Sequence, residues 1–200
     1  MWNAAKLIYL AGLTLALFPA GHAQVMKFGG CSIDFELMEL PNCAARIQDG
    51  RPYVLKELAE YVLSRPQVGV AAWPVTVGRQ RLAASHFPGD SWVYFDRRGI
   101  VVVKNVAEID NGPADFHLGL VLVTRGEKWG LANARGQLVV RFTYDQIFDY
   151  EHNRGWLACT GCRKVRVDEE HFSAEGGKWV WLDAHGHVTG NATDPSSRIQ

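Results

Sequence analysis

Apolar and polar positions alternate along most of this chain, and one aromatic-led form of the alternation recurs three times. Trp92-Val-Tyr-Phe-Asp96-Arg-Arg-Gly99, Lys128-Trp129-Gly130-Leu131-Ala132-Asn133-Ala134-Arg135-Gly136 and Trp179-Val-Trp-Leu-Asp183-Ala-His-Gly186 each place Asp or Asn four residues after Trp and Gly seven after it. A period of two puts Trp92 with Tyr94, Trp129 with Leu131 and Trp179 with Trp181 on one face of a strand. Asp/Asn-x-x-Gly reads as a tight turn. The Asx side chain bonds the backbone beyond it, and Gly supplies a positive φ at the last position. Ile100 to Val103 and Leu138 to Val140 are apolar return strands. Each copy is predicted to be a β-hairpin with a Trp anchor.

Shorter apolar runs lie between the copies. Phe116-His-Leu-Gly119-Leu-Val-Leu-Val-Thr124 precedes Trp129, Phe148 to Cys159 precedes Trp179 at a longer distance, and Arg81 to Ser85 is a degenerate counterpart before Trp92. The interval is 37 residues from Trp92 to Trp129 and 50 from Trp129 to Trp179, so the later unit carries an insertion the size of a hairpin. Such a period predicts a stacked array of small units, none of which buries its apolar face alone.

Upstream the pattern changes. Ile33, Phe35 and Leu37 alternate with Asp34 and Glu36, as in a half-buried strand. From Pro52 to Ser64 the spacing becomes helical. Val54, Leu55, Leu58, Tyr61 and Val62 form one stripe, and Lys56, Glu57 and Glu60 face away. Pro52 suits the first turn and Pro66 stops the helix. This helix is expected to cover one end of the array, where an open edge would aggregate. Val68 to Val77 is β-branched enough for strands, broken at Pro74.

Lys128-Trp129-Gly130-x-x-Asn133-x-x-Gly136, with Phe-x-x-Gly-Leu-x-x-Val upstream and Tyr144-Asp145 downstream, resembles the WG-repeat (KWG-repeat) proteins of bacteria. The resemblance covers about residues 80–190 and is most specific in the middle copy; in the flanking copies Val93 and Val180 replace the Gly that follows Trp in the family pattern. It implies a β-rich repeat fold and no shared reaction, and so a binding or structural role. The expected fold is mainly β with one helix. Residues 24–79 form an N-terminal capping segment, 80–190 the array of hairpins and 191–200 a polar tail. The repeat anchors are Trp92, Gly99, Trp129, Gly130, Gly136, Trp179 and Gly186, with Trp129 expected to fill the core between hairpins.

Charge and the N-terminus narrow the functional classes. Lys and Arg number 21 and Asp and Glu number 21, which gives no electrostatic case for nucleic acid or an anionic membrane. Residues 1–23 read as a secretory signal: Lys6, an apolar run from Leu7 to Phe18, and Gly21-His-Ala23 as a peptidase site before Gln24. The run is too short to favour a span, and no later segment could cross a bilayer as a helix. A periplasmic or secreted location is therefore expected. Asn191-Ala-Thr193 has the form of a glycosylation sequon and reads as chance in a bacterial chain.

Four Cys suit an oxidising compartment. Cys31 with Cys43 and Cys159 with Cys162 read as structural pairs, and cross-pairing between the two regions stays open. Cys159-Thr-Gly-Cys162 also allows thiol–disulfide exchange, with Arg163, Lys164 and Arg166 at hand to stabilise a thiolate. A reactive C-x-x-C normally opens a helix, whereas the residues after Cys162 alternate like a strand. A four-Cys zinc site has atypical spacing. His185-Gly-His187 lies on the third turn and His171 in the insertion, both as solvated polar segments, so no metal and no cofactor are expected. No nucleophile-elbow, phosphate-loop, zinc-protease or dinucleotide motif occurs. Trp73, Trp156 and Trp181 lie outside the anchor positions and are candidate contact aromatics. The expectation is an exported, non-catalytic binding or structural protein whose partner is an unidentified protein or envelope component. The alternatives are a thiol–disulfide oxidoreductase using Cys159 and Cys162, and an inhibitor or immunity-type partner of another secreted protein.

Overall fold

The computed structural model describes residues 25–34, 40–64, 73–88, 92–167 and 172–195. The signal at 1–23, Phe35, Leu37, Val68 and His171 lie outside the described residues. The chain begins with β1 (Val25–Phe28), β2 (Cys31–Asp34), β3 (Ala45–Gln48), β4 (Arg51–Val54) and the helix α1 (Lys56–Leu63). Next come β5 (Trp73–Val77), β6 (Gln80–His86), β7 (Trp92–Phe95), β8 (Val101–Val106), β9 (Glu108–Ile109) and β10 (Gly112–Pro113). Then follow β11 (Leu120–Arg125), β12 (Lys128–Asn133), β13 (Leu138–Tyr144), β14 (Gln146–Glu151) and β15 (Gly155–Thr160). The last are β16 (Arg163–Arg166), β17 (Phe172–Glu175), β18 (Lys178–Leu182) and β19 (Val188–Ala192).

The described fold is mainly β with a single helix, and its strands pair antiparallel. Seven strands form one sheet in the order β13-β12-β11-β8-β7-β6-β5, and four form another in the order β14-β15-β18-β19. The hairpins β1–β2, β3–β4, β9–β10 and β16–β17 stand outside these sheets.

The three Trp stretches form hairpins that share a register next to their turns and diverge at the Trp itself, where Trp92 pairs with Val106, Trp129 with Tyr144 and Trp179 with Ala192. The residue three after each Trp pairs with the residue nine after it: Phe95 with Val101, Ala132 with Leu138, Leu182 with Val188. The residue two after pairs with the residue eleven after: Tyr94 with Val103, Leu131 with Val140, Trp181 with Gly190. One extra residue on the return strand therefore makes the same bulge in each hairpin. The turns also match. Asp96 Oδ1 accepts from the N–H groups of Arg98 and Ile100, at 2.8 and 3.0 Å. Asn133 Oδ1 accepts from Arg135 and Gln137 at 2.9 and 3.1 Å, and Asp183 Oδ1 from His185 and His187 at 2.7 and 2.9 Å. These are the bonds an Asx side chain makes when it closes a turn.

The turn glycines do more than turn. Gly99, Gly136 and Gly186 have φ of +78°, +74° and +76°. A Cβ on Gly99 would lie 2.0 Å from the Val54 carbonyl oxygen of β4, one on Gly136 1.9 Å from that of Val102 in β8, and one on Gly186 2.4 Å from Val140 Cγ2 of β13. Each turn thus sits on a strand from earlier in the chain; Gly99 and Gly136 meet its backbone, an approach that only a residue without Cβ permits, and Gly186 meets Val side chains. Gly130 is tight for another reason: a Cβ there would meet the Val140 carbonyl oxygen of its own hairpin at 2.6 Å.

Alternation along β6 and β7 separates two cores, and a third, smaller one gathers Leu157, Cys159, Ala174 and Trp179. Trp92, Tyr94, Leu82 and Ala84 join Leu122, Leu131, Ile147, Trp156 and Leu182 in a core that both large sheets share. Val93, Phe95 and Ala83 point to the opposite side, against Leu58, Ala59 and Val62 of α1 and Ile33 of β2. All four residues of β7 are buried, because it has apolar neighbours on both faces. Tyr94 is pushed well above its usual pKa, chiefly by burial, and its hydroxyl donates to the Ala114 carbonyl at 3.0 Å.

Three boundaries differ from the sequence reading. The helix starts at Lys56 and not at Pro52, because Pro52 to Val54 pair with Ala45 to Ile47. It packs on the face of β6 and β7 that points away from the shared core. Pro74 does not break the strand that holds it. β5 is an edge strand, where a missing N–H can face outward. The expected tail instead continues β19 through Ala192, and Asp194 Oδ2 accepts from the Gly176 N–H at 2.6 Å.

Candidate functional site

Trp92 and Trp179 are 2% and 3% exposed. Trp92 meets His86 edge to face at 5.4 Å between ring centroids. Trp179 stacks on Phe148 at 5.8 Å, and its Nε1 donates to the Gly176 carbonyl at 2.7 Å. Trp129 is half-buried and packs against the shared core from its rim. It begins the middle hairpin between Thr124 of β11 and Tyr144 of β13, and it lines a groove of 520 Å3. That size is within the ~300–1,000 Å3 usual for ligand sites.

Three elements line the groove. The β11–β12 turn contributes Thr124, Gly126 and Glu127 beside Trp129; the β13–β14 corner contributes Asp145 and Gln146; the inserted hairpin contributes Cys162, Arg163, Lys164 and Ala174. Asp145 joins all three. One carboxylate oxygen pairs with the Lys128 ammonium, the other accepts from the Gly161 N–H at 2.6 Å, and the Asp145 N–H donates to the Cys159 carbonyl at 2.9 Å. The Lys128 ammonium above all, with the Gly161 N–H, holds the Asp145 carboxyl below the usual carboxylate range against a smaller effect of burial.

The inserted hairpin continues β15 and β18 past a break. Thr160 still pairs with Lys178, and pairing resumes at Arg163 with Glu175. A Cβ on Gly177 would lie 2.5 Å from the Cys162 nitrogen, so Gly lets the two chains cross closely at the break. The Cys159–Cys162 disulfide closes the same root, with Cα atoms 6.1 Å apart, and Cys31 bonds Cys43 at 5.6 Å. Along the hairpin Arg163 lies 3.7 Å from Glu175, and the Lys164 ammonium sits 4.1 Å over the Phe172 ring.

The other residues singled out in the sequence scatter. Trp156 is not a surface contact: it is fully buried against Tyr150 and His117 because its strand faces the shared core. Trp181 is half-buried, with the Arg154 guanidinium 5.8 Å from its ring. Trp73 opens β5, and its side chain lies outside the described residues. His185 and His187 sit on the third turn, where their N–H groups bond Asp183. Among the described residues no three His, Cys, Asp or Glu gather as a metal site, and no helix is long and apolar enough to cross a membrane. Cys159 is wholly buried in β15, between Gln146 and Trp179, with no helix start beside it. An attacking thiol needs exposure, and this position is wholly buried.

Asp145 and Gln146 were not legible as site residues. The available signal was the opposite charge of Lys128 and Asp145, which flank the partners Trp129 and Tyr144. The chain matches no protein-family model, no curated protein and no solved structure.

Proposed function

We propose that this is an exported, non-catalytic binding protein of the WG-repeat type. Three Trp-anchored units stack behind an N-terminal capping segment, and a protein or envelope component is held in the groove between the second and third units. The observation that carries this reading is the register shared by the three hairpins, with each turn glycine seated on an earlier strand. Such an array builds a surface and not a reaction centre. Two disulfides suit a chain that folds outside a reducing cytoplasm. The buried Cys159 speaks against the oxidoreductase alternative.

The test is made on the full chain expressed in a bacterial host. The exported protein is expected to begin at or near Gln24, to show no free thiol without reduction, and to give no turnover in insulin reduction or oxidative refolding. Full-length protein retained in the cytoplasm with free thiols would remove the exported reading. Turnover that disappears in Cys159→Ser would make the protein an oxidoreductase.

A further inference from the structure

The groove can be assigned a ligand class. Resting on the binding reading above, we propose that it is a glycan site. A pyranose ring of a neutral saccharide chain lies on the Trp129 ring, and its hydroxyls bond the side chains around that ring.

Trp129 is set apart by what lies on the other Trp rings. Trp92 meets His86, Trp156 meets Tyr150, Trp179 stacks on Phe148, and Trp181 has the Arg154 guanidinium near its ring. Among the described residues no aromatic ring or cation takes that place on Trp129, which lines the groove half-buried. Arg125 pairs with Lys128, next to Trp129, yet its guanidinium sits over Phe142. An indole face left to water gains from an apolar cover. Its π electrons draw the C–H hydrogens on the flat side of a sugar ring.

Charge points to a neutral ligand. The lining holds two acids, Glu127 and Asp145, and two bases, Arg163 and Lys164. Three of the four are engaged within the protein. Asp145 pairs with Lys128, Arg163 lies 3.7 Å from Glu175, and the Lys164 ammonium sits 4.1 Å over the Phe172 ring. A balanced and internally paired lining offers no field to draw a charged ligand of either sign.

The uncommitted polar groups suit hydroxyls. Thr124 pairs directly across from Trp129, so its side chain stands beside the indole on the same face. Neither its hydroxyl nor the Glu127 carboxylate has a hydrogen-bond partner among the described residues. The Gln146 amide nitrogen donates to the Ile147 carbonyl at 3.4 Å, which leaves its oxygen as an acceptor. A sugar hydroxyl donates and accepts, and a carboxylate, a hydroxyl and an amide together meet both demands. One apolar platform with a few convergent polar groups is the usual make-up of a small-ligand site.

The probes are cellotetraose and chitotetraose, neutral chains of glucose and of N-acetylglucosamine, added to the whole exported protein. Binding is read by calorimetry, Trp fluorescence and amide shifts. At least one probe should bind with a Kd of about 1 mM or tighter. The shifts should concentrate at residues 124–129 and 145–146. Affinity should hold from low to high salt, because no charge is neutralised. Trp129→Ala should weaken binding by about tenfold or more. Glu127→Ala, at an exposed turn, should weaken it by about threefold to tenfold while the melting temperature holds. That variant reads the site even where Trp129→Ala fails to fold. Binding of one probe alone identifies the sugar and upholds the proposal. Affinity that collapses with salt, or that survives both substitutions, would overturn it. So would failure of both probes to bind, and shifts at the same residues from an uncharged peptide would then make a protein the occupant. The exported repeat reading would still rest on its own N-terminus and thiol measurements.

Discussion

Trp92 and Trp129 open two hairpins of one sheet, pairing with Val106 and Tyr144 on their return strands, yet one ring is buried and the other lines a groove. Their strands differ in what lies on each side. β7 separates two cores, with α1 packed on one face and the four-stranded sheet beyond the other. The start of β12 lies instead along the groove that the inserted hairpin also lines. The positions next to the turn thus share pairing and turn chemistry, while neighbours set the depth of the ring. The same aromatic residue can be structural in one unit and available for contact in the next.

The sharpest way to break this comparison is to truncate both rings. Trp92→Ala should cost about 3–5 kcal/mol, the usual loss for a buried Trp. Trp129→Ala should cost about 1–2 kcal/mol, since part of its apolar area is already in water. Equal losses in denaturant melts would show that the two rings are equally deep. The turns give a second contrast. Gly136→Ala combines a φ of +74° with a Cβ placed 1.9 Å from the Val102 carbonyl oxygen. It should cost about 2–4 kcal/mol. Gly119→Ala has a φ of +83° and no atom within 4 Å, so only the left-handed backbone opposes it, at about 1–2 kcal/mol. Similar melting points for the two variants would deny that the middle turn rests on β8.

The disulfides sharpen the comparison between the N-terminal segment and the groove. Loss of Cys31–Cys43, with a separation of 12, should cost about 3 kcal/mol, and loss of Cys159–Cys162, with a separation of 3, about 2 kcal/mol on loop entropy. Only the second double Ser variant should speed amide exchange in residues 163–167 and 172–175. Fast exchange there in both variants would mean that the groove wall depends on the whole fold. The smallest effect is electrostatic. The folded-state pKa of Asp145 lies below its ordinary 3.8, so its ion pair contributes stability above that pH and loses it as pH falls through the folded value. Asp145→Asn should flatten this acid limb and lower stability at neutral pH by about 0.5 kcal/mol. An unchanged acid limb would show that Lys128 and Asp145 do not hold the corner together.

Local features were legible where neighbours in sequence are also neighbours in space. Asp96, Asn133 and Asp183 close their own turns, and the alternation of Trp92 and Tyr94 against Val93 and Phe95 is the alternation of the two cores. The 31–43 and 159–162 pairs are also short-range. The helix start was misplaced because Pro52 suits a first helical turn as well as a strand, and only the pairing with Ile47 decides. The groove was not legible at all. It exists because the β13–β14 corner brings Asp145 beside Gly161, and no periodicity records where a chain turns between sheets.

The seating of the turn glycines also sets an order of assembly. Gly99 needs Val54, Gly136 needs Val102 and Gly186 needs Val140, so each acceptor strand comes earlier in the chain than its glycine. A chain that emerges N-terminus first presents every seat before its occupant, and the molecule can be laid down from that end like courses of brick. The β3–β4 hairpin is then the foundation course: remove it and the first Trp hairpin has no surface on which to set.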